Sequence, residues 1–111
     1  MSIAVTIDDL PAAIDAQIGW CYLLNVGDDG APRVLAIVPE WSMGGTLRAE
    51  VGARTAANVA ARSRITLVYP PASAAGLSLI IDGEATVDGT TVAFLPVTAV
   101  MHRSAIAPPQ P

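Results

Sequence analysis

Short runs of strand-forming residues, separated by tight turns and interrupted by one helix, constrain the fold of this 111-residue chain most strongly. The turns contain the glycine, proline and aspartate residues that reverse a chain between strands. The predicted order is helix, three strands, helix, and then three or more strands. Because strands and helices do not alternate, a doubly wound sheet with a phosphate-binding first crossover is disfavoured. The pattern instead predicts an antiparallel meander.

The predicted helices and strands follow from local sequence. An acidic residue at Asp8 or Asp9, followed by Pro11, predicts a short N-terminal helix over residues 12–16. An alanine-rich stretch over residues 55–62 predicts the one interior helix. The predicted strands cover residues 20–26, 33–39, 46–51, 65–69, 77–81, which leads into Asp82-Gly83 and residues 84–87, and 91–95. About six short strands close most economically into a small barrel, so the predicted class is mainly β with short helices.

The predicted strand over residues 33–39 is apolar on both faces, which is typical of a central strand or of an interface strand. Hydrophobic residues make up 52% of the chain and charged residues only 14%. So few charges cannot cover the surface of a small domain. We therefore expect a homodimer that buries a large face of each subunit; the alternative is a monomer with an unusually apolar surface.

Charge and cysteine usage exclude several partners. The net charge of −4 argues against nucleic acid and against an anionic membrane surface. No run of 18 apolar residues predicts a membrane span, and Asp8 and Asp9 interrupt any signal peptide. The lone Cys21 lies in an apolar run, so we expect it to pack as a small hydrophobe. These features predict a cytoplasmic protein with one domain over residues 1–103 and a flexible, proline-rich tail over residues 104–111.

Few residues have the chemistry of a catalytic or metal site. The chain has one histidine, His102, and no serine in the sharp turn that exposes a nucleophile. One cysteine, one histidine and unpaired carboxylates do not make a metal-ligand set, so no metal is expected. His102 is interpreted as structural, with a haem ligand as the alternative.

Three arginines stand alone in strands or at a helix start. Arg33 and Arg48 are predicted on neighbouring strands joined by one hairpin, and Arg54 lies beside a helix start whose N–H groups favour an anion. Their convergence predicts an anion site, with unrelated surface arginines as the alternative. Arg62 and Arg64 are interpreted as a solvated helix C-terminus.

Five segments follow one another along most of the chain: residues 22–26 (YLLNV), 27–33 (GDDGAPR), 52–59 (GARTAANV), 79–85 (LIIDGEA) and 99–103 (AVMHR). In their order and spacing they resemble the pyridoxamine 5'-phosphate oxidase-related family. The resemblance implies a split β-barrel that dimerises and binds FMN at the subunit interface, or a deazaflavin or haem in some branches.

The resemblance also implies six cofactor-binding residues, namely Arg33, Arg48, Ala49, Arg54, Thr55 and Ser78. Arg54 and Thr55 match the Arg-Lys pair that holds the FMN phosphate. Arg33 matches the arginine that opens the family's second-strand flavin segment, while Arg48 and Ala49 match third-strand positions that line the flavin. Ser78 matches a polar position that contacts the ring.

The sequence departs from the family pattern at the phosphate site. Thr55 replaces the phosphate-binding lysine, Ala53 replaces a serine, and Val38 replaces another lysine. The longer C-terminal portion that completes the oxidase active site has no counterpart here, so we expect no oxidation of pyridoxamine phosphate. We expect instead a small flavin-dependent oxidoreductase whose substrate and catalytic residues are unknown. The alternatives are a non-enzymatic structural or ligand-binding dimer and a haem-binding protein.

Overall fold

A computed structural model describes residues 2–103 and 105, which form a curled antiparallel sheet of eight strands, a half-barrel, with two helices. In chain order the elements are β1 (Ser2–Val5), α1 (Leu10–Asp15), β2 (Cys21–Val26), β3 (Pro32–Ile37), β4 (Glu40–Ser42), β5 (Thr46–Glu50), α2 (Ala53–Ala61), β6 (Arg64–Tyr69), β7 (Leu77–Asp88) and β8 (Thr91–Arg103). The predicted tail lies outside the described residues, apart from Ala105.

The predicted mainly-β, antiparallel class with two helices is confirmed, but the predicted strand number was wrong. The sheet has eight strands where about six were expected. The two missed strands, β1 and β4, have four and three residues, too few to show a pattern of alternation. β8 runs on to Arg103, far beyond the predicted end at Leu95.

The strand order is β3-β2-β6-β7-β8-β5-β4, and β1 pairs with the second half of β8. The prediction that Arg33 and Arg48 occupy neighbouring strands was therefore wrong. β5 pairs with β4 and β8, whereas β3 pairs with β2 alone among the described strands. The unpredicted β4 lies between β3 and β5 along the chain, and in the sheet β3 and β5 are separated by β2, β6, β7 and β8. The interpretation of β3 as a central strand was wrong, because β3 lies at an edge of the sheet, and the interface alternative stays a prediction.

The β2–β3 hairpin turns at residues 27–30, as the sequence predicted. The N–H of Gly30 donates to the carbonyl of Gly27 at 2.9 Å, and Gly30 has a positive φ of 78° that favours glycine. The Asp29 carboxylate accepts from the backbone N–H of Ala31 at 3.0 Å and from Arg33 at 2.9 Å. These contacts hold the pKa of Asp29 below its usual range, the Ala31 bond contributing most.

The concave face of the sheet forms the core. One row of paired residues crosses it from strand to strand: Leu35, Leu23, Leu67, Ile81, Ala99 and Val5. We call this set the inner row; four of its members are buried, and Leu35 and Val5 pack against the core cluster. A β-bulge at Asp82/Gly83 bends β7, and a Cβ at Gly83 would lie 2.3 Å from the carbonyl oxygen of Leu95. Only glycine permits that approach of two backbones.

A second row runs beside the inner row and faces outward. It comprises Ala36, Tyr22, Val68, Ile80, Val100 and Ala4, paired in that order across β3, β2, β6, β7, β8 and β1. We call it the outer row. All six residues are apolar; Ala4, Tyr22 and Ala36 are exposed, and Val68, Ile80 and Val100 are partly exposed. At the same edge, Val34 and Val38 are 61% and 66% exposed.

The two helices lie close to their predicted positions. α1 begins with Leu10-Pro11, and α2 begins at Ala53 rather than Thr55 because Gly52 is the N-cap. α2 packs on β2, β7 and β8. Within the described residues, neither helix is long and apolar enough to span a bilayer.

The prediction for Cys21 is confirmed. Its side chain is completely buried in the core cluster. Loss of hydration raises the pKa of the thiol to about 12, against a smaller lowering by a hydrogen bond with Tyr69. The same burial, followed by the neighbouring Cys21, raises the pKa of Tyr69. The thiol is therefore protonated and unreactive in the folded protein.

Candidate functional site

An open groove of about 380 Å³ lies on the outer surface where β4, β5 and β8 meet. Its lining comprises Val38, Glu40, Arg48, Ala49, Glu50 and Thr91. The alternation of β5 turns Leu47 into the core, which leaves Arg48 and Glu50 on the solvent side. The volume is in the range of small-molecule sites, about 300 to 1,000 Å³.

The groove carries one cation and two carboxylates. Arg48 stands opposite Glu40 in the β4–β5 register, and no ion pair within the described residues includes Arg48. Glu50 accepts hydrogen bonds from the hydroxyls of Thr90, at 3.1 Å, and Thr91. The Glu50 carboxylate is thus hydrogen-bonded across the β5–β8 pair. Arg48 is the groove residue whose charge can bind an anion.

Arg54 and Thr55 lie in the first turn of α2, which begins three residues after Glu50 at the end of β5, and neither residue lines the groove. Arg54 is exposed and Thr55 is half-buried. Gly52 supplies no side-chain cap and the first turn has no acidic residue, so the N–H groups of this turn are not capped by a side chain of α2. A helix start of this kind, next to a guanidinium, favours an anion.

Arg33 does not join this group. Its guanidinium pairs with Asp29 at 2.9 Å and also donates to the carbonyl of Pro32 at 3.2 Å. Both contacts hold it at the β2–β3 turn. Of the three arginines predicted to converge, Arg48 lines the groove, Arg54 follows Arg48 by six residues at the start of α2, and Arg33 lies at the β2–β3 turn.

Ser78 lies at the other end of the β7–β8 ladder, where its register partner is His102. Arg48 is paired instead with Ala93, nine residues before His102 on the same strand. At about 3.3 Å per residue, Ser78 and the groove lie roughly 30 Å apart along β8. Ser78 and the groove residues therefore do not share one cavity in a single subunit.

His102 is exposed, and its Nδ1 lies 2.9 Å from the hydroxyl of Ser2. That contact ties β1 to the end of β8, and Nε2 has no hydrogen-bond partner among the residues that the structure describes. Among the residues described by the structure, no group of three or more His, Cys, Asp or Glu side chains is arranged to hold a metal ion.

Sequence reasoning missed a polar anchor beneath α2. The Arg62 Nε donates to the carbonyl of Val26 at 2.7 Å, and its Nη2 pairs with Asp28 at 2.9 Å. The interpretation of Arg62 as a solvated residue was therefore wrong. Asn58 and Asn25, 8% and 2% exposed, form a buried amide pair at 3.0 Å. An asparagine on the buried face of an alanine-rich helix was the available signal.

No family model matches the chain. Two curated proteins do: the uncharacterized protein Mb0449c of Mycobacterium bovis and the uncharacterized protein MT0457 of Mycobacterium tuberculosis. Each is 32% identical to this chain, and each alignment covers 83% of this chain and 75% of the relative.

Solved structures share the fold at low sequence identity. One has a TM-score of 0.66 at 20% identity and covers 88% of this chain and 90% of its own. Another is a haem-binding protein from Mycobacterium smegmatis, with a TM-score of 0.60 at 15% identity. That alignment covers 84% of this chain and 52% of the haem-binding protein. Identities this low show the fold alone, and the predicted membership of the oxidase-related family stays a prediction.

Proposed function

We propose that this chain, which belongs to the same family as the uncharacterized mycobacterial proteins Mb0449c and MT0457, is a homodimeric cofactor-binding protein. Each groove takes a phosphorylated cofactor of the flavin type. The proposal rests on an open groove that contains Arg48, for which the described residues supply no ion-pair partner, and on the start of α2, without a side-chain cap, three residues after the groove residue Glu50.

The outer row supports the homodimer. Six neighbouring strands, spaced about 4.8 Å apart, present a continuous apolar band roughly 24 Å wide. Bands of this size on a small domain are typical of protein interfaces. A second copy with the same band is a self-complementary partner, because a two-fold axis matches the surface to itself.

Val38 connects the predicted interface with the groove. It lines the groove and also extends the exposed edge that Val34 begins. A second subunit packed on the outer row therefore passes close to the groove and narrows its opening. A site covered in this way excludes water from a flat ring system.

The phosphate end of the cofactor fits Arg54, Thr55 and the start of α2. A guanidinium holds two phosphate oxygens at once, and the backbone N–H groups of the first turn add their own donors. Thr55 contributes a neutral hydroxyl where the resembling family has lysine, so we expect weaker binding than in a lysine-containing protein.

Arg48 and Ala49 are the residues that would lie along the ring system. Ala49 is half-buried and small, and Arg48 offers a planar cation. A bound flavin would supply the redox chemistry, while this chain supplies orientation and exclusion of water. Of the six predicted cofactor residues, the proposal retains Arg48, Ala49, Arg54 and Thr55.

Titration of the protein with FMN and with riboflavin, followed by flavin fluorescence, tests the proposal. Arg54→Ala should weaken FMN binding by about 10- to 150-fold, the equivalent of about 1.5 to 3 kcal/mol for a hydrogen bond to a charged group. Arg103→Ala is the matched control, since Arg103 is an exposed arginine at the far end of β8. Equal losses in both variants, or no FMN binding by a protein that is dimeric in light scattering, would leave the structural dimer as the better function.

Haem is the second candidate, because no described residue engages Nε2 of His102 and a protein of similar fold binds haem. Haem held by His102 would occupy the β1–β8 end of the sheet and not the groove. Addition of haemin should then give a Soret band that His102→Ala abolishes and that excess FMN leaves unchanged. A haem spectrum that persists in His102→Ala would exclude His102 as the residue that binds the haem iron.

A further inference from the structure

α2 is held on the sheet by few apolar contacts. The buried side chains of its described face are Ala56, Asn58 and Val59. Alanine and valine are small, so they interdigitate weakly with the strands below and constrain the rotation of a helix poorly. A directional contact is needed to fix which way the other side chains of α2 point.

Asn58 makes that directional contact. Its Nδ2 donates to the Oδ1 of Asn25 at 3.0 Å, and the Nδ2 of Asn25 donates to the carbonyl of Arg33 at 3.4 Å. The chain of contacts therefore runs from the middle of α2 through β2 to the backbone of β3. Both amides are buried, and no side-chain nitrogen or oxygen buried within the described residues lacks a partner.

The two ends of α2 are fixed by other contacts. At the C-terminal end, Arg62 binds the carbonyl of Val26 and pairs with Asp28. Before the N-terminal end, the N–H of Val51 donates to the carbonyl of Thr90 at 2.9 Å. These contacts set where the helix axis lies, and neither is in the middle of the helix where Asn58 engages the sheet.

We propose that Asn58, through Asn25, is a positioning residue that fixes the rotation of α2 and thereby aims Arg54 and Thr55 at the groove. Arg54 precedes Asn58 by four residues, so the two side chains lie on the same flank of the helix, one turn apart. A rotation of α2 that moves Asn58 off Asn25 moves Arg54 by the same angle. The inference rests on the proposed function of the groove, and one arm of its test needs no ligand.

The ligand-dependent arm compares FMN with riboflavin, which lacks the phosphate. The measured quantity is the ratio of the riboflavin Kd to the FMN Kd. Asn58→Ala should lower this ratio at least about threefold, because a misaimed Arg54 loses part of its charge-assisted contact with phosphate while ring contacts persist. A change in both affinities by the same factor would contradict the proposal, since general loosening of the fold acts on both ligands.

Two further variants separate positioning from stability. Asn25→Ala, and the double variant with Asn58→Ala, should give the same ratio as Asn58→Ala alone, because each of the three removes the contact between Asn58 and Asn25. Gln17→Ala is the matched control. Gln17 is another side-chain amide that ties a helix to the sheet, by a 3.1 Å bond to the carbonyl of Leu77, but it serves α1. It should lower the melting temperature and leave the ratio unchanged; a ratio that falls as far as in Asn58→Ala would overturn the proposal.

The ligand-free arm measures the rotation itself. Nitroxide labels are placed at Arg54→Cys and at Thr86→Cys on the exposed side of β7, and the protein is diluted with unlabelled protein. The buried Cys21 stays unlabelled. We expect one narrow distance in this background and a broadened or shifted one when Asn58→Ala is added. An unchanged narrow distance would overturn the positioning role whether or not FMN binds, whereas a changed distance without FMN binding would refute the proposed cofactor alone.

Discussion

The inner and outer rows of the sheet are made of the same kinds of residue and have opposite surroundings. Ile81 on the inner row is completely buried, and Ile80, its neighbour on the outer row, is partly exposed. Leu67 and Val68 show the same contrast on β6. The two rows are adjacent sets of paired residues on the same strands, and both are apolar. Hydrophobicity alone therefore does not distinguish them.

This contrast shows what closes a small β-domain. The curl of the sheet encloses the concave face, and α1 and α2 pack against it. No element within the described residues covers the outer row. An apolar face that the chain leaves open is the signal of a partner surface. The outer row is the part of the surface in which the small number of charged residues in the sequence is seen.

The largest expected effect is the loss of an inner-row side chain. Ile81→Ala should lower the free energy of unfolding by about 2 to 5 kcal/mol, because it leaves a cavity in a close-packed core. Ile80→Ala, the matched substitution on the outer row, should change the unfolding of the isolated subunit by less than about 1 kcal/mol. Chemical denaturation at low protein concentration measures both. Equal losses would show that the outer row is as enclosed as the inner one.

The next effect concerns assembly. Ile80→Asp places a carboxylate in the middle of the outer row and should raise the dimer dissociation constant at least about tenfold, or 1.4 kcal/mol, because an unpaired charge is desolvated on association. Sedimentation of a dilution series measures the constant. Thr86→Asp, on the exposed side of β7 outside the row, is the control and should leave it unchanged. A monomeric parent protein would contradict the interface.

A third test compares adjacent positions on the two faces of β2. With its pKa raised to about 12, the Cys21 thiol should react with iodoacetamide at pH 8 roughly a thousandfold more slowly than an ordinary thiol. A thiol introduced as Tyr22→Cys in a Cys21→Ala background faces outward and should react readily in dilute protein. Raising the protein concentration should slow only the outward thiol, since dimerisation covers it. Rapid reaction of Cys21 in folded protein would place β2 the other way round.

The smallest effect lies at the β2–β3 turn, which belongs to neither row. The pKa of Asp29 is below its ordinary 3.8 in the folded protein, so the ionised carboxylate stabilises the fold at pH above that value. This contribution is lost as the pH falls through the lower folded-state pKa. Asp29→Asn should therefore shift the acid-unfolding midpoint slightly upward in circular dichroism and flatten the dependence below pH 4. An unchanged midpoint and an unchanged pH dependence in the variant would mean that Asp29 is not engaged.

Many residues of the candidate site could be predicted from the sequence, but which of them lie together in space could not. The alternation of β5 places Arg48 and Glu50 together on its polar face, and the alanine-rich helix follows with Arg54 in its first turn. These are short-range relations. Arg33 and Ser78 were assigned to the same site by resemblance, but their distance from the groove depends on strand order and on position along long strands.

Local sequence was enough to predict the antiparallel mainly-β class, the hairpin at residues 27–30, the two helices and the burial of Cys21. These depend on turn residues, helix propensity and local hydrophobicity, which act within a few residues. The position of β3 at an edge, the insertion of β4 before β5 and the contact of Asn58 with Asn25 across 33 positions depend on the tertiary structure. Which of two equally apolar faces becomes the core was also decided there, because burial results from the curvature of the whole sheet and from the helices that pack on it.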